Sequence, residues 1–293
     1  MYLYQAPFTG LILLLYFQNA VIVCKQKNNP KETFIQGYLK IMELAAETKE
    51  LTEEYLEIVR NDSDHNISPS QRFKLYQSFG PSRIILSNKT TVKEVDISQY
   101  HNNIKEQLLN LTTGDKTLGW LGILTSKKVL FLWESIWQQI TFDPDAITRP
   151  EEMLELAEKL LLGKTTIDDN LFELYGEFNT ALNIQYWVSY DVANTFNAAY
   201  FTLGMIIYGP NNLTSNNLDD IYDSDRDFAS RAVAAYTVIN SVVPSEDLTL
   251  NPALIKFDST KRLEFWEWWL TEAIPQAWEL AQSSYQDKEK NQE

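Results

Sequence analysis

The densest concentration of side chains with chemical potential is "DDIYDSDRD", residues 219–227, which carries Asp219, Asp220, Asp223, Asp225 and Asp227. Asp223, Asp225 and Asp227 stand at alternate positions, as the opening of an EF-hand calcium loop requires. The pattern then breaks, because Phe228 holds the position of the obligatory glycine and Ala234 that of the bidentate glutamate. These acids instead read as the entry to a helix, whose N-terminal amides favour negative charge. Paired carboxylates recur at Glu151/Glu155 and Glu264/Glu267. Such pairs do acid and base work only when buried and close, and their helical spacing reads as a solvated face. No Gly-x-Ser-x-Gly elbow, phosphate-cradling glycine loop, His-Glu-x-x-His or Cys-x-x-Cys occurs. Cys24 is the single cysteine and His65 and His101 are far apart, so the chain offers neither an internal disulfide nor a His/Cys zinc set. No metal or cofactor is expected.

The net charge of −15 is unevenly distributed. Residues 1–116 hold 13 of the 25 Lys+Arg and 13 of the 40 Asp+Glu, leaving 12 and 27 for the rest of the chain. A field of that sign repels nucleic acid and speeds encounter with a basic protein. The other acids exposed on an expected loop are Asp143 and Asp145 in "TFDPDAITRP". Together with the 219–227 group they are the expected partner contacts, since loops and helix entries present charge without burying it.

These residues must be held by helices. Ten glycines and ten prolines in 293 residues, with 44% hydrophobic and 13% aromatic content, disfavour a turn-dense β fold and supply a substantial core. Apolar residues recur at helical spacing between Glu32 and Arg60, with a break near Thr48, and again through "IKEQLLNL", "LGWLGIL" and "SKKVLFLWESIWQQI". Thr148, Arg149, Pro150 and Glu151 form a capping-box start for "EEMLELAEKLLL", which Gly163 ends. Further helices are expected at about 168–182, 186–207, 226–243 and 260–284. The 186–207 segment is apolar almost all round in its second half, which marks a central helix, and the alanines of "RDFASRAVAAYTVINSVV" allow close backbone approach. In "KRLEFWEWWLTEAIPQAW" the rings and aliphatic residues cover more than half of a helix. Glu264, Glu267 and Glu272 take the remaining surface, and Pro275 predicts a kink.

The N-terminal region reads differently. "LILLLYF" and "AVIVCK" are two short β-rich runs, and "PSRIILSNKTTVKEVDIS" has the form of a hairpin. The apolar stretch 8–24 is at the lower limit for a membrane span, contains Gln18 and Asn19, and has no Lys or Arg before it, which favours a buried role over a membrane anchor. The expectation is a mainly α multi-helix bundle with a small β-containing N-terminal region. Residues 1–100 form the N-terminal region, 101–285 the helical domain and 286–293 a polar tail.

The succession "VLFLWESIW", "FDPDAITRPEEMLELAEKLLLGK", "DFASRAVAAYTVINS" and "KRLEFWEWWLTEAIPQAW", across residues 117–283, resembles the immunity protein 5 type of α-helical immunity proteins from bacterial polymorphic toxin systems. That resemblance implies a cytoplasmic, non-enzymatic protein that neutralises a cognate toxin domain by binding it, with no catalytic or ligand set to transfer. From charge, the expected partner is a basic toxin that acts on nucleic acid, met by acidic-surface complementarity. Two alternatives remain: a metal-dependent helical hydrolase using clustered carboxylates, and a membrane-tethered scaffold. Carboxylates converging in one pocket mark the hydrolase; carboxylates spread over a surface mark a binding protein.

Overall fold

The computed structural model describes residues 44–81, 97–137, 150–165, 168–185, 189–209, 227–239 and 256–290, all within a compact unit spanning Lys40–Glu293. Nine helices account for most of them. They are α1 (Ala46–Asn61), α2 (Pro69–Ser78), α3 (Ile97–Leu109), α4 (Thr113–Trp137), α5 (Pro150–Leu161), α6 (Asp169–Gln185), α7 (Tyr190–Tyr208), α8 (Phe228–Thr237) and a long final helix, α9. The last runs through Ser259–Trp268, a π-helical turn Trp269–Ala273, and Ile274–Lys290. Among the described residues there is no strand, and the one β-bridge pairs Val238 with Phe257. The expected β component is therefore not supported; the runs before residue 44 and most of the hairpin expected over 81–98 lie outside the described residues, and the last two of its residues, Ile97 and Ser98, begin α3.

Local chemistry sets the helix ends. Ser68 accepts from the Gln71 amide while the Gln71 side chain accepts from the Ser68 amide, a capping box with Pro69 in the first turn of α2. Asp258 caps α9 by accepting from the Thr260 and Lys261 amides. α5 starts at Pro150 and ends as expected at Gly163, whose φ of +65° lies in the left-handed region. There the Lys164 amide bonds to the Lys159 carbonyl and the Gly163 amide to Leu160, the paired bonds of a Schellman motif.

α7 is the axis of the bundle. From Asp191 to Ile207 every residue but Phe201 is buried, and α4, α5, α6 and α8 all pack on it. Two short side chains bring α4 close: Gly122 lies against Thr202, where an added Cβ would stand 2.9 Å from the Thr202 methyl, and Ser126 shares a 3.0 Å hydrogen bond with the Thr202 hydroxyl. The alanines of α8, Ala229, Ala232 and Ala235, are buried where α8 meets α7 and α4. Removing this much apolar surface from water, at roughly 25 cal/mol per Å², is the main favourable term holding the bundle.

The tryptophan-rich helix α9 closes the structure. Phe265, Trp266, Trp269, Leu270, Ala273, Ile274 and Ala277 have no exposed surface, and the buried Trp269 Nε1 donates to Thr125 Oγ1 at 2.9 Å. Where a kink was expected, the helix takes a π turn. Pro275 has no amide to give the Thr271 carbonyl, and one residue earlier the Ile274 amide bonds back to Trp269, five positions away. The buried face continues through the turn in Trp269, Leu270, Ala273, Ile274 and Ala277. α1 and α2, from the segment whose composition reads as the N-terminal region, pack against α9 and α4 respectively. The Thr48 hydroxyl of α1 donates to the Ser78 carbonyl of α2 at 2.8 Å.

Candidate partner-binding face

Of the seven aspartates expected at a partner interface, the described residues include one. Asp227 is 8% exposed and committed within the fold. One carboxylate oxygen accepts from Arg72 Nε at 2.8 Å and lies 2.8 Å from a terminal guanidinium nitrogen; the other caps α8 by accepting from the Ser230 amide at 2.7 Å. Arg72 also donates to the Ile67 carbonyl and lies 5.8 Å from the centre of the Trp266 ring. Asp227 thus joins α2, α8 and α9, and it is buried because the arginine it neutralises is buried too. Asp143, Asp145, Asp219, Asp220, Asp223 and Asp225 lie outside the described residues.

Exposed acids occur on several of the described elements, Glu106, Glu134, Glu152, Glu155, Glu173 and Glu177 among them, and the densest run is on α1. Leu51, Tyr55, Leu56 and Val59 bury one side of α1. Glu47, Glu50, Glu54 and Glu57, at i, i+3, i+7 and i+10, are all exposed on the other, with half-exposed Glu53 beside them. Lys49 is the single basic residue among those five glutamates. Alongside, α9 exposes Glu264, Glu272 and Glu279, while half-exposed Glu267 accepts from Arg60 Nε of α1 at 2.6 Å. Arg262 donates to the Asp64 carbonyl at 3.1 Å and fastens the start of α9 to the loop after α1. α1 thus carries an acidic stripe, and α9, joined to it through the Arg60–Glu267 pair, carries further exposed glutamates.

The opposite border of the α9 strip is aromatic. Lys128 of α4 places its Nζ 4.5 Å from the Trp268 ring centre and 5.9 Å from that of Tyr236 on α8. Burial against these rings pulls the Lys128 ammonium below the ordinary lysine value, while Glu272 and Glu264 pull it the other way. Lys128 therefore offsets part of the acidic field on one side only.

No group of three His, Cys, Asp or Glu side chains converges to hold a metal among the described residues. The histidines have local roles. His65 Nδ1 contacts the Val59 carbonyl at 2.7 Å from a backbone with φ +49°, and the His101 ring stacks on Phe172 at 3.9 Å. The ionisable groups shifted furthest are tyrosines. Tyr175 is stacked on Tyr200 at 4.7 Å and pushed well above its ordinary value, chiefly by burial. Exposed on helix surfaces, these acids can attract and orient cationic groups.

Charge counting along the chain missed α1, because residues 1–116 are neutral as a whole. The informative signal was the helical stripe of glutamates within it.

Comparison with known proteins bears on what such a face is for. No curated protein and no solved structure matches the chain. The family model described as "Immunity protein Imm5" matches residues 52–276, beginning in the second turn of α1 and taking in every later helix of the bundle through the first part of α9. With well over half of its length matched, from the glutamate-bearing helix to the tryptophan-rich one, the chain belongs to the Imm5 immunity protein family.

Proposed function

We propose that this immunity protein neutralises a basic, nucleic-acid-acting toxin domain in the cytoplasm by stoichiometric binding, presenting carboxylates where the toxin's Lys and Arg side chains would otherwise meet phosphate. Family membership supplies the coarse statement, a protein whose partner is a toxin. The observation that carries the finer one is the stripe of Glu47, Glu50, Glu54 and Glu57 on α1, with Glu264, Glu267 and Glu272 on the adjoining α9. Their spacing along two rigid helices gives a line of negative charge with a fixed geometry, as a nucleic-acid backbone does. Such charge raises the encounter rate with a basic partner and fixes its orientation. Asp143, Asp145, Asp219, Asp220, Asp223 and Asp225 extend the proposed contact set, and Asp227 is left to the fold.

The hydrolase reading draws no support from the described acids, which spread over a surface and do not converge. For the membrane-tethered reading, no helix among the described residues is long and apolar enough to cross a bilayer; the stretch 8–24 on which that reading depends is outside them.

Growth rescue tests the proposal. The chain is co-expressed with its cognate toxin domain, as wild type and as Glu47→Lys/Glu50→Lys/Glu54→Lys/Glu57→Lys. Wild type rescues, and the variant, soluble and helical by circular dichroism, does not. Full rescue by the folded variant removes the acidic face from the mechanism.

A further inference from the structure

The acidic strip of α9 is interrupted by one large ring. Trp268 is half-exposed, with Glu264 one turn before it and Glu272 one turn after it. Its neighbours on the other helices are apolar to a degree unusual for a surface. Lys128 lays its ammonium over both Trp268 and Tyr236, which fixes α4, α8 and α9 as meeting there. One turn beyond Lys128 on α4 stands Phe131, 52% exposed, and just past the end of α8, three residues after Tyr236 and beside the Val238–Phe257 bridge, stands Ile239, 56% exposed. Two of the four large apolar residues that the described residues expose thus lie within three positions of Lys128 or Tyr236, the others being Leu109 and Leu174. An apolar patch rimmed by charge is the anatomy of an interface centre, where aromatic anchors supply binding energy and the charged rim supplies steering.

We propose that Trp268, Tyr236, Phe131 and Ile239 form the anchoring centre of the toxin-binding surface, with Glu264 and Glu272 as the nearest part of its acidic rim. The occupant is the basic toxin domain, an assignment that rests on the function proposed above. It places apolar side chains against this centre and Arg or Lys on the two glutamates. Charge complementarity selects it over a second copy of this chain, which would set glutamate against glutamate. On this division of labour the α1 glutamates govern how fast the complex forms, and the aromatic centre governs how long it lasts.

Binding to the catalytically inactivated toxin domain, measured by biolayer interferometry, separates the two contributions. Trp268→Ala and Phe131→Ala/Ile239→Ala should each raise the dissociation rate at least tenfold, with the association rate changed less than about threefold. Phe131 and Ile239 are surface residues whose loss leaves the core intact, so the double variant stays informative if Trp268→Ala unfolds. Unchanged dissociation in the folded double variant overturns the anchoring role. If neutralising the α1 glutamates still slows association, only the anchor has failed; if that too has no effect, the acidic-face reading fails with it. Light scattering covers the remaining occupant. A homodimer that dissolves in the double variant while toxin binding persists would show a second copy on this surface and overturn the proposal.

Discussion

Replacing Asp227 by alanine removes two supports at once. The Arg72 side chain is 4% exposed, and its partner carboxylate is its only ion pair among the described residues. Stranding a buried guanidinium by deleting its counter-ion costs about 3–5 kcal/mol. The same substitution deprives the Ser230 amide of its cap, at a cost of about 1 kcal/mol. The sum, about 4–6 kcal/mol, is a large part of the 5–15 kcal/mol that ordinarily separates folded from unfolded domains. Asp227→Asn retains an oxygen for the cap and should recover about 1 kcal/mol of that loss. Arg72→Met/Asp227→Asn removes the stranded charge as well, and should be more stable than Asp227→Asn alone. Urea unfolding followed by circular dichroism reads all three. A loss below about 1 kcal/mol in Asp227→Ala would mean that the pair contributes no more than a surface salt bridge and that the structural role assigned to Asp227 is mistaken. The double variant is the sharper control, because a less stable double variant would contradict the stranded-charge argument even if alanine at 227 prevents folding.

Two further predictions concern the core. Burial raises the Tyr76 and Tyr175 hydroxyls above the ordinary value of 10.0, so the unfolded chain loses these protons first as pH rises. Their contribution is complete below pH 10 and is lost above it, as the pH climbs toward the raised folded values; the slope is about 1.4 kcal/mol per pH unit for each tyrosine. Urea midpoints between about pH 9 and 11 should show that decline, and Tyr175→Phe should reduce it. Gly122→Ala drives a Cβ to 2.9 Å from the Thr202 methyl and 3.0 Å from its hydroxyl, which should destabilise the α4–α7 contact by about 1–3 kcal/mol. A thermal melt would register it, and Gly122→Ala/Thr202→Ala should show the two sites to be coupled.

The helices were legible where local chemistry agreed with apolar spacing. The Pro150 start and Gly163 stop of α5, the all-round burial of α7 and the core rings of α9 each follow from residues close in sequence. Pro275 marked the place of an irregularity, and the structure shows a π turn just before it. The role of Asp227 was invisible because its partner, Arg72, is 155 positions away. Nothing near an aspartate says whether a buried arginine will meet it. The acidic surface was hidden for a related reason: α1 comes from the neutral part of the chain and α9 from the acidic part, and only packing brings the two helices together. Trp268 belonged to a correctly assigned packing helix, yet it, like Trp278, is only partly buried.

The central claim, that a stripe of glutamates on α1 draws in a basic toxin, is tested most directly by the association rate of the purified proteins across a range of ionic strength. The account predicts that wild type associates fast at low salt and slows steeply as salt is added. Glu47→Gln/Glu50→Gln/Glu54→Gln/Glu57→Gln should lose about tenfold in rate at low salt, with a flatter salt dependence. Coincident rates and salt slopes for the two proteins, both folded, would contradict it.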